Sequence, residues 1–363
     1  MNKPFKILML VNWDVHLMKN HNGEKQSPNV IFPDEKYWFF KHWPDENIKV
    51  DVIDFCKLPI INHIERWWLK FYVIQTLKAL PKIKNYDLII SHGAQSGVVL
   101  AFLRSLLGSK LPPHIIIDVG CFNGGRSKKL ELLPLNYAVK SLAGVISHNS
   151  FQKDYYQENI PYLSDKNLFV PFGADSEFFK PLDLGTEDYI ISVGYIKRDW
   201  DTLLKAFENL NSDVKLKLVG AGDKSRLKIS PKIQGRVECL PYIPIQELKE
   251  EIARAKFMVI PLPYYKYSFG QMTLLQGMAM RKAIIVSKVP GVEDYVRDGK
   301  NAVFYKPQDW QDLKDKMEML LKDEKLTDKI ARNARLSIES KFNEKNLAEN
   351  LHRAVGQLCK IEN

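Results

Sequence analysis

Cysteine is scarce in this chain. The four present in 363 residues, Cys56, Cys121, Cys239 and Cys359, stand far apart and form no Cys-x-x-Cys pair. That spacing excludes a disulfide scaffold and a zinc ribbon and makes the reducing cytosol the expected compartment. Long apolar runs are also missing: no stretch reaches the roughly 18 residues of a membrane span. The opening Met1-Asn2-Lys3-Pro4-Phe5-Lys6 leads into an apolar run ending near Val11, too short for a signal-peptide core plus cleavage site. The expectation is a cytoplasmic protein. Low-complexity segments and short-period repeats are absent, which excludes a mainly disordered or collagen-like chain. What is there, 45% hydrophobic and 26% charged residues, is the composition of a packed protein. Its length fits about two domains better than one.

Negative charge is in short supply. Lys and Arg number 53 against 43 Asp and Glu, a formal net charge of +10. Most of the surplus lies between Cys56 and Lys140, where twelve Lys and Arg face four Asp and Glu. A basic balance points to an anionic partner: nucleic acid, a phosphate-bearing ligand or anionic lipid. No nucleic-acid motif accompanies it, so nucleic acid is not expected. Within this region, His63-Ile64-Glu65-Arg66-Trp67-Trp68-Leu69-Lys70-Phe71-Tyr72-Val73 sets paired tryptophans among cations, and Lys78, Lys82 and Lys84 follow. Two readings stay open. Residues 63–84 form an anionic-membrane contact, or they form an amphipathic helix with Trp67 or Trp68 in the core.

Both halves of the chain alternate strand and helix patterns. In the first, Ile7–Val11, Val50–Ile53, Leu88–Ile90 and His114–Ile117 are short Ile- and Val-rich runs, the signature of buried parallel strands. Helical patterns cover Ser96–Leu107 and Leu130–Leu142. In the second, strands are expected at Tyr189–Val193, Lys215–Val219, Phe257–Ile260 and Ala283–Ser287, with helices near 200–210, 245–255, 271–281 and 309–322. The charged tail Lys325–Leu358 is helical in pattern throughout. The expected fold is α/β: two Rossmann-like, doubly wound parallel-sheet domains facing a central cleft. The N-terminal domain is placed at 1–180, with the C-terminal helix 340–363 packing back on it, and the C-terminal domain at 181–339.

Ser268-Phe269-Gly270-Gln271-Met272-Thr273-Leu274-Leu275-Gln276-Gly277-Met278-Ala279-Met280-Arg281-Lys282-Ala283-Ile284-Ile285-Val286 is the most informative segment. A strand ends near Pro261, a loop follows, and Gly270 opens a helix. Such a helix start suits a phosphate, while the plainer reading is a turn with a packed helix behind it. This segment resembles the donor-site signature of retaining GT-B glycosyltransferases, glycosyltransferase family 4 (glycosyl transferases group 1). Leu275-Gln276-Gly277-Met278-Ala279-Met280-Arg281-Lys282-Ala283-Ile284-Ile285 matches its latter part. Further landmarks are Val170-Pro171-Phe172-Gly173-Ala174-Asp175 with Phe179 and Pro181, Ser192-Val193-Gly194 with Lys197-Arg198-Asp199, Leu218-Val219-Gly220-Ala221-Gly222 and Val289-Pro290-Gly291-Val292-Glu293. The resemblance covers about 170 to 350; the first half is similar only in architecture. The family's second signature Glu, which holds the ribose, aligns with Gln276, its first Glu with Ser268, and the Arg after its Val-Gly turn with Tyr195.

The resemblance implies a glycosyltransferase that moves a hexose from a nucleotide-activated donor to a glycan or lipid-linked acceptor. It further implies retention of anomeric configuration and no metal or other cofactor. Polysaccharide, lipopolysaccharide or glycolipid biosynthesis is the implied setting, in the cytoplasm or peripherally on the membrane's inner face. A sugar-nucleotide epimerase on the same fold, or a degenerate non-catalytic partner, is the alternative. Donor-binding residues carried over are Gly173, Lys197, Arg198, Gly220, Tyr242, Ser268, Gly270, Gln271, Met272, Thr273 and Gln276. Arg198, expected against the pyrophosphate, joins His92 and Asp118 as a catalytic candidate. Those last two follow predicted strands and face a ligand edge or serve as local caps. Asp199-Trp200-Asp201 reads as a helix start and not as a metal motif.

Overall fold

The computed structural model describes residues 3–18, 29–32, 35–44, 47–108, 111–120, 122, 132–195, 197–222 and 227–360. The chain divides into two compact units, Met1–Pro171 with Leu347–Asn363, and Phe172–Asn346.

The first unit carries β1 (Phe5–Leu10), a small pair β2 (His16–Leu17) and β3 (Val30–Ile31), then β4 (Ile48–Ile53), β5 (Leu88–His92), β6 (His114–Asp118), β7 (Gly144–Ser147) and β8 (Asn167–Phe169). Six of these form one parallel sheet in the order β4-β1-β5-β6-β7-β8. Central β5, β6 and β7 are buried at every position, as strands covered on both faces must be. Its helices are α1 (Pro59–His63), α2 (Val73–Ala79), α3 (Ala94–Leu107), α4 (Leu132–Ala138) and α5 (Gln152–Asn159). The chain leaves β1 toward β4 on one side and returns to β5 on the other, so the winding direction switches between β1 and β5.

The second unit repeats the scheme with β9 (Tyr189–Val193), α6 (Trp200–Glu208), β10 (Lys215–Val219), β11 (Val237–Leu240), α7 (Ile245–Arg254), β12 (Met258–Ile260), α8 (Gln271–Ala279), β13 (Ile284–Ser287), α9 (Pro290–Glu293) and β14 (Val303–Tyr305). Its parallel order is β11-β10-β9-β12-β13-β14, which places the switch between β9 and β12. One apolar layer gathers Ile191, Val193, Met258, Ile260, Leu274 and Met278. The other gathers Ile190, Leu204, Phe207, Leu216, Val259 and Ile285. The alternation of Ile190 and Ile191 between the two layers is the period-2 geometry of a strand with helices on both sides.

The tail is three helices: α10 (Trp310–Lys322), α11 (Glu324–Ser340) and α12 (Glu344–Cys359). The helical pattern through Lys325–Leu358 is continuous in sequence, but the structure breaks it at Asn343. That side chain donates to the carbonyls of Ile338 and Glu339 at 3.2 and 2.9 Å, and its Oδ1 accepts the N–H of Asn346 at 2.9 Å. One amide thus stops α11 and starts α12, a local competition with the helix ladder that apolar periodicity does not reveal. From Leu347 on, α12 belongs to the first unit. Gly144 lets it approach β7, since a Cβ there would lie 2.5 Å from Leu358 Cδ2.

Candidate functional site

Ligands of doubly wound sheets bind outside the carboxyl ends of the strands, where the winding switches. In the second unit that point lies between the segments after β9 and β12. Asp199 N–H donates to Pro261 O at 2.9 Å, fastening the two segments together. Asp199 also caps α6, accepting from Thr202 N at 3.1 Å and Thr202 Oγ1 at 2.7 Å. Its carboxylate is therefore a helix cap.

Arg198 lies across Gly194, where a Cβ would sit 2.1 Å from Nε. Nε donates to Val193 O at 3.0 Å, Nη1 to Lys197 O at 3.3 Å and Nη2 to Thr273 Oγ1 at 3.0 Å. Burial pushes its pKa down to about 10, so it remains a cation at neutral pH. Lys197 has a left-handed backbone, φ 55°. Its ammonium donates to Tyr267 OH and stands 4.5 Å from that ring's centroid and 5.3 Å from that of Tyr265.

Gly270 opens α8 at φ 86°, and a Cβ there would lie 2.6 Å from Leu262 Cδ1. The first-turn N–H groups, those of Gln271, Met272 and Thr273, have no intrahelical acceptor, as at any helix start. Gln271 is buried and donates its amide to Ser268 Oγ, so these two side chains close on each other. Met272 is exposed, while Leu274, Leu275 and Met278 are core. Gln276 is half-buried and makes no side-chain hydrogen bond among the described residues.

Beyond β10, Gly220 adopts φ 79°, and the ring of Tyr195 occupies the place its Cβ would take, 2.1 Å away. Tyr195 meets Tyr242 at 4.9 Å between centroids and 38° between planes, and both are exposed, 44% and 75%. Gly173 is buried in the segment that opens the unit, beside Phe172, whose N–H donates to Tyr295 OH at 2.9 Å. Thus Arg198 with Thr273, Lys197 with the tyrosine loop, Ser268 with Gln271, and Gly220 with Tyr242 through Tyr195, are each joined by direct contact. No such contact ties Gly173 to Arg198.

In the first unit, His92 and Asp118 end the neighbouring strands β5 and β6. His92 stands at the β1/β5 switch. It is 8% exposed, with Trp13 edge-on at 4.5 Å and Phe39 at 5.4 Å. Burial, aided by nearby His148, pushes its pKa down to about 3. It is a neutral ring at physiological pH, and its buried Nδ1 has no partner among the described residues. Asp118 is different. It accepts from Gly120 N at 2.8 Å, Gln152 Nε2 at 2.8 Å and Tyr156 OH at 2.5 Å, and is 1% exposed. A carboxylate so committed anchors the end of β6, which favours the cap reading of this residue over a proton-transfer role. The cysteine- and glycine-bearing loop after it, residues 121 and 123–131, lies outside the described residues.

Trp13 and Tyr267 are not among the residues expected from the sequence, and Tyr195 is expected only as the residue aligned with the family's Arg. A usable signal existed: each lies in a segment following a predicted strand, two of them beside candidates already named.

Residues 174–337 match the family model described as glycosyl transferases group 1. That match lies within the second unit and spans less than half of the chain, over which the chain is similar to the group 1 glycosyltransferases. It is 24% identical over 294 residues to an uncharacterized glycosyltransferase of Methanocaldococcus jannaschii, spanning 76% of this chain and 78% of that one. Among solved structures it shares the GT-B fold of Anabaena HepE in complex with UDP, with TM-score 0.69, 15% identity, and 97% and 100% of the two chains covered. HepE is also known with UDP-glucose, TM-score 0.67. The lipopolysaccharide outer core galactosyltransferase WaaB is similar at TM-score 0.65, 14% identity, covering 97% and 99%. The matched segment covers every donor-binding candidate except Gly173.

Proposed function

We propose that this protein is a group 1 glycosyltransferase that binds a nucleotide-activated hexose in the Phe172–Asn346 unit and transfers the sugar to a glycan or lipid-linked acceptor with retention of configuration. The setting is polysaccharide, lipopolysaccharide or glycolipid biosynthesis at the cytoplasmic side of a membrane. The observation that supports this reading best is Arg198, fixed by three hydrogen bonds at the winding switch against the first turn of α8. As the sugar–phosphate bond breaks, the nucleoside diphosphate gains negative charge. A cation already held in place stabilises that charge without reorganising. The N–H groups at the start of α8 act in the same sense.

Tyr195 and Tyr242 offer exposed aromatic faces to the base. Gln276 has its amide available for the ribose hydroxyls. Ser268 is engaged with Gln271, so the sugar contact that the family's first Glu makes falls to this pair. In a front-face reaction the departing phosphate oxygen takes the acceptor hydroxyl's proton, the new glycosidic bond forms on the face that the diphosphate leaves, and no protein nucleophile is needed. A metal ion is not required, because Arg198 and the helix start carry the charge stabilisation. The first unit supplies acceptor contacts, with neutral His92 able to accept or donate a hydrogen bond but not to act as a cationic acid.

HepE binds UDP and UDP-glucose, so UDP-sugars are the first donors to test against GDP-, ADP- and TDP-sugars by thermal shift, since native-state ligands raise stability. Product NMR then reads the anomer. An inverted product removes the retaining mechanism; epimerised donor without acceptor replaces transfer with epimerisation.

A further inference from the structure

A second surface stands in the first unit. α1 runs into a π-helical turn over Ile64–Leu69 that stops at Lys70, φ 59°. Its inner side is anchored. Glu65 is buried and its Oε1 accepts the N–H of Ile74 at 2.7 Å in the first turn of α2. Tyr72, also buried, donates its N–H to Gln95 O at 3.1 Å and stacks on Phe55 at 5.9 Å. The outer side is uncovered: Ile60, Ile64, Trp67, Trp68, Leu69 and Phe71 are all exposed, Trp67 by 67% and Trp68 by 79%. Neither tryptophan is in the core, which removes the amphipathic-helix alternative. Large apolar residues normally reach a protein surface singly; a cluster marks an interaction face.

Along this stretch of the chain the exposed charge has one sign. From Lys57 to Lys84 the only carboxylate is Glu65, and it points inward. Arg66, Lys70, Lys78, Lys82 and Lys84 are exposed and make no ion pair among the described residues. Among those residues no helix is long and apolar enough to cross a membrane.

We propose that this face seats on an anionic lipid bilayer, with Trp67, Trp68 and Leu69 entering the headgroup–acyl boundary and the five cations meeting acidic headgroups. Indole rings favour that boundary, and cations beside them are drawn to the negative surface potential. A second copy of the chain is the poorer occupant: a two-fold contact would set this cationic face against itself. The Glu65 latch fixes the turn before binding, so little ordering cost remains to be met on the membrane. The proposal stands independently of the donor reading, because vesicle binding is measured without any sugar nucleotide.

The test is co-sedimentation of the full chain with phosphatidylcholine vesicles and with vesicles that also contain phosphatidylglycerol, in low and high salt. Wild type is expected to sediment with the anionic vesicles and to be released as salt rises. W67S/W68S should lower partitioning about tenfold or more through lost apolar burial. K78Q/K82Q/K84Q should lower it roughly tenfold to a hundredfold and flatten the salt dependence. Circular dichroism and thermal melts establish that both variants fold, which their exposure favours. Equal recovery of wild type with neutral and anionic vesicles, or binding that neither folded variant weakens, overturns the proposal. So does a lipid-free dimer that W67S/W68S dissociates, since a second copy would then cover the face.

Discussion

Arg198 reaches from the turn after β9 to Thr273 in the first turn of α8, its Nη2 donating to Oγ1 at 3.0 Å. The contact spans the winding switch of the second sheet. It holds a cation and a helix start in one place before any ligand arrives. Gly194 makes it possible, because any Cβ there would occupy the guanidinium's position.

Arg198→Ala should therefore weaken nucleoside diphosphate binding by about 1.5–3 kcal/mol, the range for a charge-assisted hydrogen bond. Thr273→Val removes one of the guanidinium's acceptors and should cost less, about 0.5–1.5 kcal/mol. Calorimetry with UDP or the preferred diphosphate measures both. Unchanged affinity in Arg198→Ala would take this residue out of the site.

Two glycines are expected to be intolerant for geometric reasons. Gly270→Val meets Leu262 and Gly220→Ala meets the Tyr195 ring, each at positive φ. The strain at each is on the order of 1–3 kcal/mol, a loss the fold should survive. Donor binding should not survive it, because the helix start at 270 and the tyrosine pair beside 220 are both displaced. Thermal melts and donor titration of the same preparations separate the two effects. Full donor affinity in a folded Gly270→Val variant places the phosphate elsewhere.

The central strands were legible because parallel strands covered on both faces read as unbroken Ile and Val runs, as in Leu88–Ile90 and Tyr189–Val193. The edge strands β11 and β14 were not, since Val237–Leu240 is only partly buried and Val303–Tyr305 is three residues long. In the candidate site, the positions of Arg198 and Gly270 ahead of α6 and α8 were legible because a strand followed by glycine and a helix is a local pattern. The partners of Asp118 were not: Gln152 and Tyr156 lie 34 and 38 residues onward. Trp13 against His92 is likewise a contact made only by folding. Sequence spacing locates a carboxylate at a strand end but not the donors that occupy it.

The first unit should lose stability as pH falls below about 6.5, the ordinary value for histidine. Burial pushes His92 to about 3 and His148 to about 4, and it also pushes His114 down. The unfolded chain takes up protons from about pH 6.5 downward that these folded rings refuse, so unfolding is favoured as pH drops. The stability at issue is fully present above that pH and is lost progressively toward the folded values. At pH 5 the loss is about 2 kcal/mol for His92 and about the same for His148. Urea melts at pH 7.5 and 5.0 give the slope, and His92→Gln should reduce it by about one proton. A slope unchanged by His92→Gln shows that this ring is protonated in the folded state.

Gln276 is where the chain departs most from the family signature it resembles, and its half-buried amide makes no side-chain hydrogen bond among the described residues. If it holds the ribose, Gln276→Ala should lower donor affinity and leave acceptor affinity almost unchanged. A neutral hydrogen bond is worth about 0.5–1.5 kcal/mol net, which is roughly a threefold to tenfold loss. Gln276→Glu is the sharper variant, because it restores the family's carboxylate at an unchanged backbone. A hydroxyl donating to a charged acceptor bonds more strongly than one donating to an amide. Donor affinity should then hold or rise if the ribose hydroxyls are donors at this position. A fall instead identifies the amide N–H as the group in use, bonding an acceptor atom of the donor that a carboxylate repels. The two variants distinguish these arrangements without knowledge of the sugar. If neither alters donor affinity or turnover, the nucleotide does not lie along α8, and the assignment built on Arg198 and Thr273 fails with it.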